Sequence, residues 1–222
     1  MQPANTTPDW TPAGVVFDCD GLLVDTEPCW TVAETVLFAR RGLSFGVPEK
    51  TRLIGSSLSD ASKSLAVTFG EEGNGPSIAD ELLALVTAVI EAEGAAMPGA
   101  RRVVDLVAQR VPVAVASNSP RRLLDVALRK GGFSRDFLIT VAGDEVVHPK
   151  PAADIYLRAC EQIGVTPVDA VAFEDSVTGL RAAQAAGMRT VGIPTLPHPK
   201  FPADYTVTSL TCPALATWVA GW

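Results

Sequence analysis

The chain has 222 residues, of which 25 are acidic and 18 are basic, so its formal net charge is -7 at neutral pH. Hydrophobic residues make up 47% and charged residues 19%, which is typical of a globular protein and not of a disordered one. The acidic balance argues against a nucleic-acid or membrane-surface partner, because phosphate polymers attract basic faces. No apolar run reaches the length of a membrane-spanning helix.

The N-terminal stretch of residues 1–12 is rich in Pro and Thr and has neither a basic start nor an apolar segment. We expect a mobile lead-in there and no signal peptide. The four cysteines form no Cys-x-x-Cys pair and the chain has two His residues, so a zinc site is not expected. We therefore expect a cytoplasmic protein whose thiols are reduced. We expect it to be a monomer or a weak dimer.

The first predicted strand is the apolar run at 14–17, which stops at Asp18. From 26 to 97 no convincing strand follows, and helical patterns dominate at 29–41, 59–69 and 78–92, with a polar loop at 71–76 between the last two. This segment predicts a helical cap at 26–97 packed over the edge of a sheet. Its expected hinges are residues 24–25 and 97–99.

The rest of the chain alternates between strand and helix patterns. Apolar runs at 113–116, 138–141, 170–173 and 190–193 predict strands, and the helical patterns at 121–130 and 152–163 each end at glycine. This alternation predicts a doubly wound parallel α/β sheet. Residues 13–25 and 98–222 would form this core.

The strongest chemical pattern directly follows the first strand, where Asp18 and Asp20 are separated by one residue and followed by Gly21. In open parallel sheets the ligand binds beyond the carboxyl ends of the strands, which is where these carboxylates fall. Two carboxylates on a turning backbone can hold a hard cation such as Mg²⁺ beside a reacting group. Taken alone, the pattern is equally compatible with an ordinary Asp/Gly turn.

Three further patterns fall at other predicted strand ends. Ser117-Asn118-Ser119 precedes a helix, where hydroxyl and backbone N–H groups bind an anion or simply cap the helix. Lys150 would neutralise a phosphate or be one more solvated lysine. The pair Glu174-Asp175 would bind a cation, or the motif would only cap a helix, with Asp175 or Ser176 at the start of the next helix. These three patterns occur together with the first acidic pair, at the ends of different predicted strands. This favours one site for phosphate and Mg²⁺ over the alternative that each pattern only caps a helix or lies in solvent.

Four ordered motifs carry a resemblance to a known family. They are FDCDGLLVDTEP (17–28), ASNSP (116–120), HPKPAADIY (148–156) and FEDSVTGLRAAQAAG (173–187). On these motifs the chain resembles the haloacid dehalogenase superfamily, in the capped branch of sugar-phosphate phosphatases and β-phosphoglucomutase-like enzymes. The resemblance spans about residues 14–210. It implies a Rossmann-like core with an inserted helical cap, and an enzyme that hydrolyses phosphoric monoesters.

The resemblance implies roles for the acidic residues. Asp18 would be the nucleophile that forms an aspartyl-phosphate, and Asp20 the general acid and then the base that activates water. The Asp18 side chain, the Asp20 backbone carbonyl and Asp175 would bind Mg²⁺. Glu174 would be a further ligand or a partner of the ligands.

The resemblance also implies a cradle for the transferring phosphoryl group. Ser117, the backbone of Asn118 and Lys150 would hold its oxygens. A Lys-Pro bond at the position of Lys150-Pro151 is cis in some relatives, so a cis peptide is a possibility here.

Three cap residues are candidates for substrate contact. Ser56 and Ser57 lie in a small polar loop at 55–60 that suits sugar or polyol hydroxyls, and Trp30 could stack on a sugar ring. The alternatives are a helix N-cap at Ser57 or Ser59 and a packed aromatic at Trp30.

These observations predict a Mg²⁺-dependent phosphatase whose partner is a small phosphorylated metabolite, a sugar phosphate above all. The first alternative is a sugar phosphomutase, and the second is a catalytically idle phosphate-ligand binding protein. The resemblance also excludes 2-haloacid dehalogenation, because the dehalogenases use only one catalytic Asp in the first motif and this chain has both Asp18 and Asp20. The best-known mutases of this branch have His where this chain has Trp30 and Arg where it has Leu58, which favours water as the phosphoryl acceptor here.

Overall fold

The computed structural model describes residues 7–53, 57–195 and 201–222. The chain forms two compact units, which we name the core unit, Met1–Asp25 with Ala95–Trp222, and the helical unit, Thr26–Gly94. In the described residues, no helix is both long enough and apolar enough to cross a membrane.

The core unit is built on a parallel sheet. Its strands are β1 (Gly14–Phe17), β2 (Val113–Ser117), β3 (Ile139–Ala142), β4 (Ala170–Glu174), β5 (Arg189–Gly192) and β6 (Tyr205–Thr206). They lie in the order β3-β2-β1-β4-β5-β6, and every neighbouring pair is parallel. This confirms the predicted doubly wound parallel sheet. The strand β6 was not predicted, because two residues are too few for an apolar run to be recognised.

Strand β1 is central and buried along its whole length. It pairs with β2 on one side and β4 on the other, so that Val15 lies opposite both Val113 and Val171. Phe17 packs on Phe173 with their ring centroids 5.0 Å apart. A continuous apolar strand is stable only when helices cover both faces of the sheet, which is why this run lacks the alternation of a half-exposed strand.

The helical unit consists of α1 (Glu27–Ala39), α2 (Val47–Leu53), α3 (Leu58–Phe69) and α4 (Gly75–Glu93). The buried residues Ile78, Leu82, Val86 and Ile90 recur at a spacing of four along α4 and pack toward α1 and α3. The helices expected at 29–41, 59–69 and 78–92 are therefore present with shifted ends. Helix α2 was not predicted, because seven residues show too little periodicity.

The helices of the core unit are α5 (Ala100–Ala108), α6 (Arg121–Lys130), α7 (Asp154–Ile163), α8 (Val177–Ala185) and α9 (Pro213–Ala220). Helix α7 buries Ile155, Tyr156, Ala159 and Cys160 on one face and ends at Gly164, whose φ of 70° closes the helix. It packs against β1, β2 and β3. The beginning of α7 therefore lies close to the ends of strands that carry the acidic motifs.

Candidate active site

The polar motifs converge at the carboxyl ends of β1, β2 and β4. Asp18 directly follows β1, whereas Ser117 and Glu174 are the last residues of β2 and β4. Since these three strands are neighbours in a parallel sheet, residues far apart in sequence meet at one edge. The sequence predicted this meeting from strand ends alone.

The turn after β1 sets the direction of the first acidic motif. Gly21 has a φ of 78°, and the Cys19 carbonyl accepts hydrogen bonds from the N–H groups of Leu23 and Val24 at 2.9 and 3.0 Å. A side chain at Gly21 would overlap the carboxylate of Asp175. The motif is thus a tight turn and also part of the polar cluster, because only glycine fits both the backbone angle and the space.

Lys150 is buried, with 6% of its surface exposed, so the interpretation as a solvated lysine is wrong. Its Nζ donates to Asp18 Oδ1 at 2.5 Å and to Glu174 Oε1 at 2.6 Å. Its backbone is held by the Asn118 side chain, which accepts from Lys150 N at 2.8 Å and donates to Lys150 O at 3.0 Å. The bond from Lys150 to Pro151 is cis.

The charge of Lys150 is stabilised by these contacts. Burial lowers the pKa of Lys150, but the carboxylates of Asp18 and Glu174 outweigh that effect and hold the pKa above its ordinary value. The charged form of Lys150 is therefore favoured at the strand ends.

Asp20 is oriented by two hydroxyl groups. Ser117 Oγ and Ser119 Oγ each donate to Asp20 Oδ2 at 2.8 Å. The other oxygen, Oδ1, is buried and has no hydrogen-bond partner among the described residues. A buried carboxylate oxygen without a donor costs free energy unless a ligand satisfies it. Ser119 was not among the predicted site residues, although it is the second hydroxyl of the same motif.

The capping alternative for Ser117 and Asn118 is wrong. Helix α6 begins at Arg121, and Pro120 at its N-cap provides no side-chain cap. At the next motif it is Ser176 that caps α8, since its hydroxyl accepts from Gly179 N at 3.0 Å. The same hydroxyl donates to Glu174 Oε2 at 3.1 Å. Ser176 is therefore the N-cap of α8, and the carboxylates of Glu174 and Asp175 belong to the polar cluster.

Three carboxylates form a cluster that could hold a metal ion. Asp18, Glu174 and Asp175 each offer an oxygen, and these oxygens lie within 4.8 Å of one another. Burial raises the pKa of Asp18 well above its usual value, and Lys150 offsets this only in part. Burial and the neighbouring Glu174 raise the pKa of Asp175 to about 7, although Thr195 Oγ1 donates to it at 2.9 Å.

The chemistry of this cluster fits a hard divalent cation. All its ligand atoms are carboxylate oxygens, which Mg²⁺ prefers. Burial is the main cause of the raised pKa values of Asp18 and Asp175, and the neighbouring carboxylates add to it. A divalent cation bound here would offset the repulsion among these carboxylates.

The predicted substrate residues of the cap belong to the helical unit. Ser57 is the N-cap of α3 and accepts from Asp60 N at 3.1 Å, which is the capping alternative. Trp30 lies in α1 and is half-buried. Ser56 lies outside the described residues. Roles for these three side chains in substrate binding stay predictions.

The chain also matches the model of a known enzyme family. The model of the haloacid dehalogenase-like hydrolases matches residues 12–187. The chain belongs to the haloacid dehalogenase-like hydrolase family. The resemblance read from the four motifs is thereby confirmed, and so is the expectation that the protein is an enzyme.

Curated relatives of this hydrolase match along most of its length. Hexitol phosphatase B from Escherichia coli (strain K12) is 30% identical over 209 residues, covering 88% of this chain and 91% of that protein. Fructose-1-phosphate phosphatase YqaB from the same strain is 30% identical over 184 residues, covering 82% and 96%. Among solved structures, CbbY from Rhodobacter sphaeroides in complex with phosphate has a TM-score of 0.78 at 27% identity, covering 90% of this chain and 95% of that one.

Proposed function

We propose that this haloacid dehalogenase-like hydrolase is a Mg²⁺-dependent phosphatase that removes the phosphoryl group from a small sugar or polyol phosphate. The observation that carries the proposal is the pairing of Asp18 with the buried ammonium of Lys150 at 2.5 Å, beside the carboxylates of Glu174 and Asp175. A cation next to an anionic nucleophile is what an approaching phosphate dianion requires, because the two anions otherwise repel each other.

In the proposed mechanism, a carboxylate oxygen of Asp18 attacks phosphorus and the bond to the sugar oxygen breaks. Ser117, the backbone of Asn118 and Lys150 hold the transferring oxygens, and the Asn118 side chain keeps Lys150 in place through its backbone. Bound by Asp18, Glu174 and Asp175, together with the Asp20 carbonyl, Mg²⁺ would neutralise charge on the phosphoryl oxygens.

Asp20 would be the general acid in the first step of the reaction and the general base in the second. It gives a proton to the departing sugar oxygen and then takes one from the water that attacks the phosphorus of phospho-Asp18, which releases inorganic phosphate. The Ser119 hydroxyl holds Oδ2, while the Ser117 hydroxyl, which has a single hydrogen, turns from Oδ2 to the phosphoryl oxygens when the substrate binds. The unpartnered Oδ1 is then the oxygen available for this exchange.

The substrate class rests on the relatives and on the helical unit. Two relatives are named hexitol phosphatase B and fructose-1-phosphate phosphatase. Trp30, Ser56 and Ser57 would contact the sugar, as aromatic and hydroxyl side chains bind sugar faces and hydroxyls.

The test is phosphate release from a panel of hexitol phosphates, hexose phosphates and non-sugar phosphate esters, with Mg²⁺ and with a chelator. The proposal expects turnover that needs Mg²⁺ and is fastest on sugar or polyol phosphates. Absence of metal-dependent turnover on the whole panel would favour the idle phosphate-binding protein instead.

A second assay separates the phosphatase from the mutase. Hexose 1-phosphates are supplied with a bisphosphate activator, and isomerised sugar phosphate is measured against free phosphate. Leu58 and Trp30 offer no charge to hold a second phosphate, so we expect free phosphate to dominate. Isomerisation that outruns phosphate release would replace the phosphatase proposal by the mutase.

A further inference from the structure

Tyr156 is a fully buried residue of α7 whose phenol reaches the polar cluster. Its hydroxyl donates to Glu174 Oε1 at 2.5 Å, and Lys150 Nζ donates to the same oxygen at 2.6 Å. The ammonium also lies 4.9 Å from the centroid of the Tyr156 ring. One side chain therefore contacts both the anion and the cation of this pair.

The second oxygen of Glu174 is fixed as well. Ser176 Oγ donates to Oε2 at 3.1 Å, and a side chain at Gly179 would overlap the carboxylate. The Glu174 carboxylate is thus enclosed and cannot turn away from its donors. A tyrosine hydroxyl carries one hydrogen and a carboxylate only accepts, so the phenol is the donor in this contact.

We propose that Tyr156 is a positioning residue that shares Glu174 Oε1 with Lys150 and so leaves the ammonium available to the phosphoryl group of the substrate. The inference rests on the proposed function, because it assumes that Lys150 binds that group. An ammonium has three N–H donors. Asp18 and Glu174 take two of them, and the Tyr156 ring limits where the third can point.

The hydroxyl weakens the hold of Glu174 on Lys150, because an oxygen that already accepts one strong hydrogen bond attracts a second donor less. Without the hydroxyl, Glu174 draws the ammonium more strongly to itself. The affinity for phosphate then falls, while Asp18 keeps its own contact with Lys150. A stronger donor at this position should have the opposite effect, which a general loss of packing does not predict.

The experiment compares Tyr156→Phe with Tyr205→Phe. The chain has two tyrosines, and Tyr205 is a buried residue of β6, so the same change is made outside the site. Binding of inorganic phosphate in the presence of Mg²⁺ is measured by calorimetry, alongside kcat and KM on the best substrate of the panel. We expect phosphate binding about tenfold weaker and kcat/KM about tenfold lower in Tyr156→Phe, the range for one hydrogen bond to a charged group. Tyr205→Phe should change neither.

If Tyr156→Phe does not fold, the Tyr205→Phe variant is prepared with 3-fluorotyrosine, which then occupies position 156 alone. The more acidic phenol donates more strongly to Glu174, so phosphate should bind more tightly. The inference is overturned if the wild type binds phosphate and the variant that is measured binds it equally tightly. Failure of the wild type to bind phosphate and to turn over the panel overturns the proposed function itself.

Discussion

Replacement of Lys150 by Met removes the only ammonium that the described residues place among the site carboxylates, while keeping the length of the side chain. Lys150 is buried and pairs with Asp18 and Glu174 at 2.5 and 2.6 Å, so its removal leaves two buried carboxylates without their cation. Breaking a buried ion pair in this way costs about 3–5 kcal/mol of stability. In a protein of this size that corresponds to a melting temperature lower by about 6–20 °C.

The same change should lower kcat by about 10²–10³-fold, as expected for the loss of one charged contact to a reacting phosphoryl group. Calorimetric melting and phosphate release, measured below the melting temperature of the variant, give both numbers. Lys130→Met, at the end of α6 and outside the site, is the matched control and should resemble the wild type. A Lys150→Met protein that melts within 2 °C of the wild type and keeps kcat within tenfold would refute the reasoning.

The remaining predictions concern the metal, the proton donor and the helical unit. Asp175→Ala should raise the Mg²⁺ concentration for half-maximal turnover at least about tenfold, and an unchanged Mg²⁺ titration would remove Asp175 from the metal site. Ser119→Ala takes one of two donors from Asp20 and should lower kcat by about 3–10-fold, most for esters with poor leaving groups; equal effects on good and poor leaving groups would contradict this role. Burial raises the pKa of Glu34, although Lys50 Nζ lies 2.9 Å from its carboxylate. Because the folded pKa is the higher one, the stability that Glu34 contributes is present below its unfolded pKa and is lost as the pH rises through the folded pKa. Urea unfolding at about pH 4 and pH 7 should therefore show Glu34→Gln gaining on the wild type by up to about 1.4 kcal/mol per unit of pKa shift, and a gap that stays constant with pH would show that Glu34 is not perturbed.

The sequence predicted those features that depend on local patterns. Strand β1 has the predicted bounds, and Asp18 and Glu174 stand at strand ends, because apolar runs and their polar stops are visible in one stretch of chain. Helix α5 was overlooked although Val103, Val104 and Val107 are spaced as on one helix face, so a signal was present.

Other features depend on contacts that no local pattern contains. Tyr156 has the spacing of a core residue in an amphipathic helix, and its partner Glu174 lies 18 positions further along the chain. Only the parallel sheet, with α7 packed against it, brings the two together. Burial of Lys150 has the same origin, since its partner Asp18 directly follows β1 and its partner Glu174 ends β4. Such contacts require the fold before they can be recognised.

The central claim is that Asp18 is the nucleophile of a metal-dependent phosphatase. The measurement is release of inorganic phosphate from the best sugar phosphate by the wild type, Asp18→Asn and the control Asp105→Asn, whose side chain is half exposed on α5. We expect Asp18→Asn to retain the fold but to lose turnover by at least about 10³-fold, while Asp105→Asn matches the wild type. Turnover by folded Asp18→Asn within tenfold of the wild type would show that Asp18 is not the nucleophile.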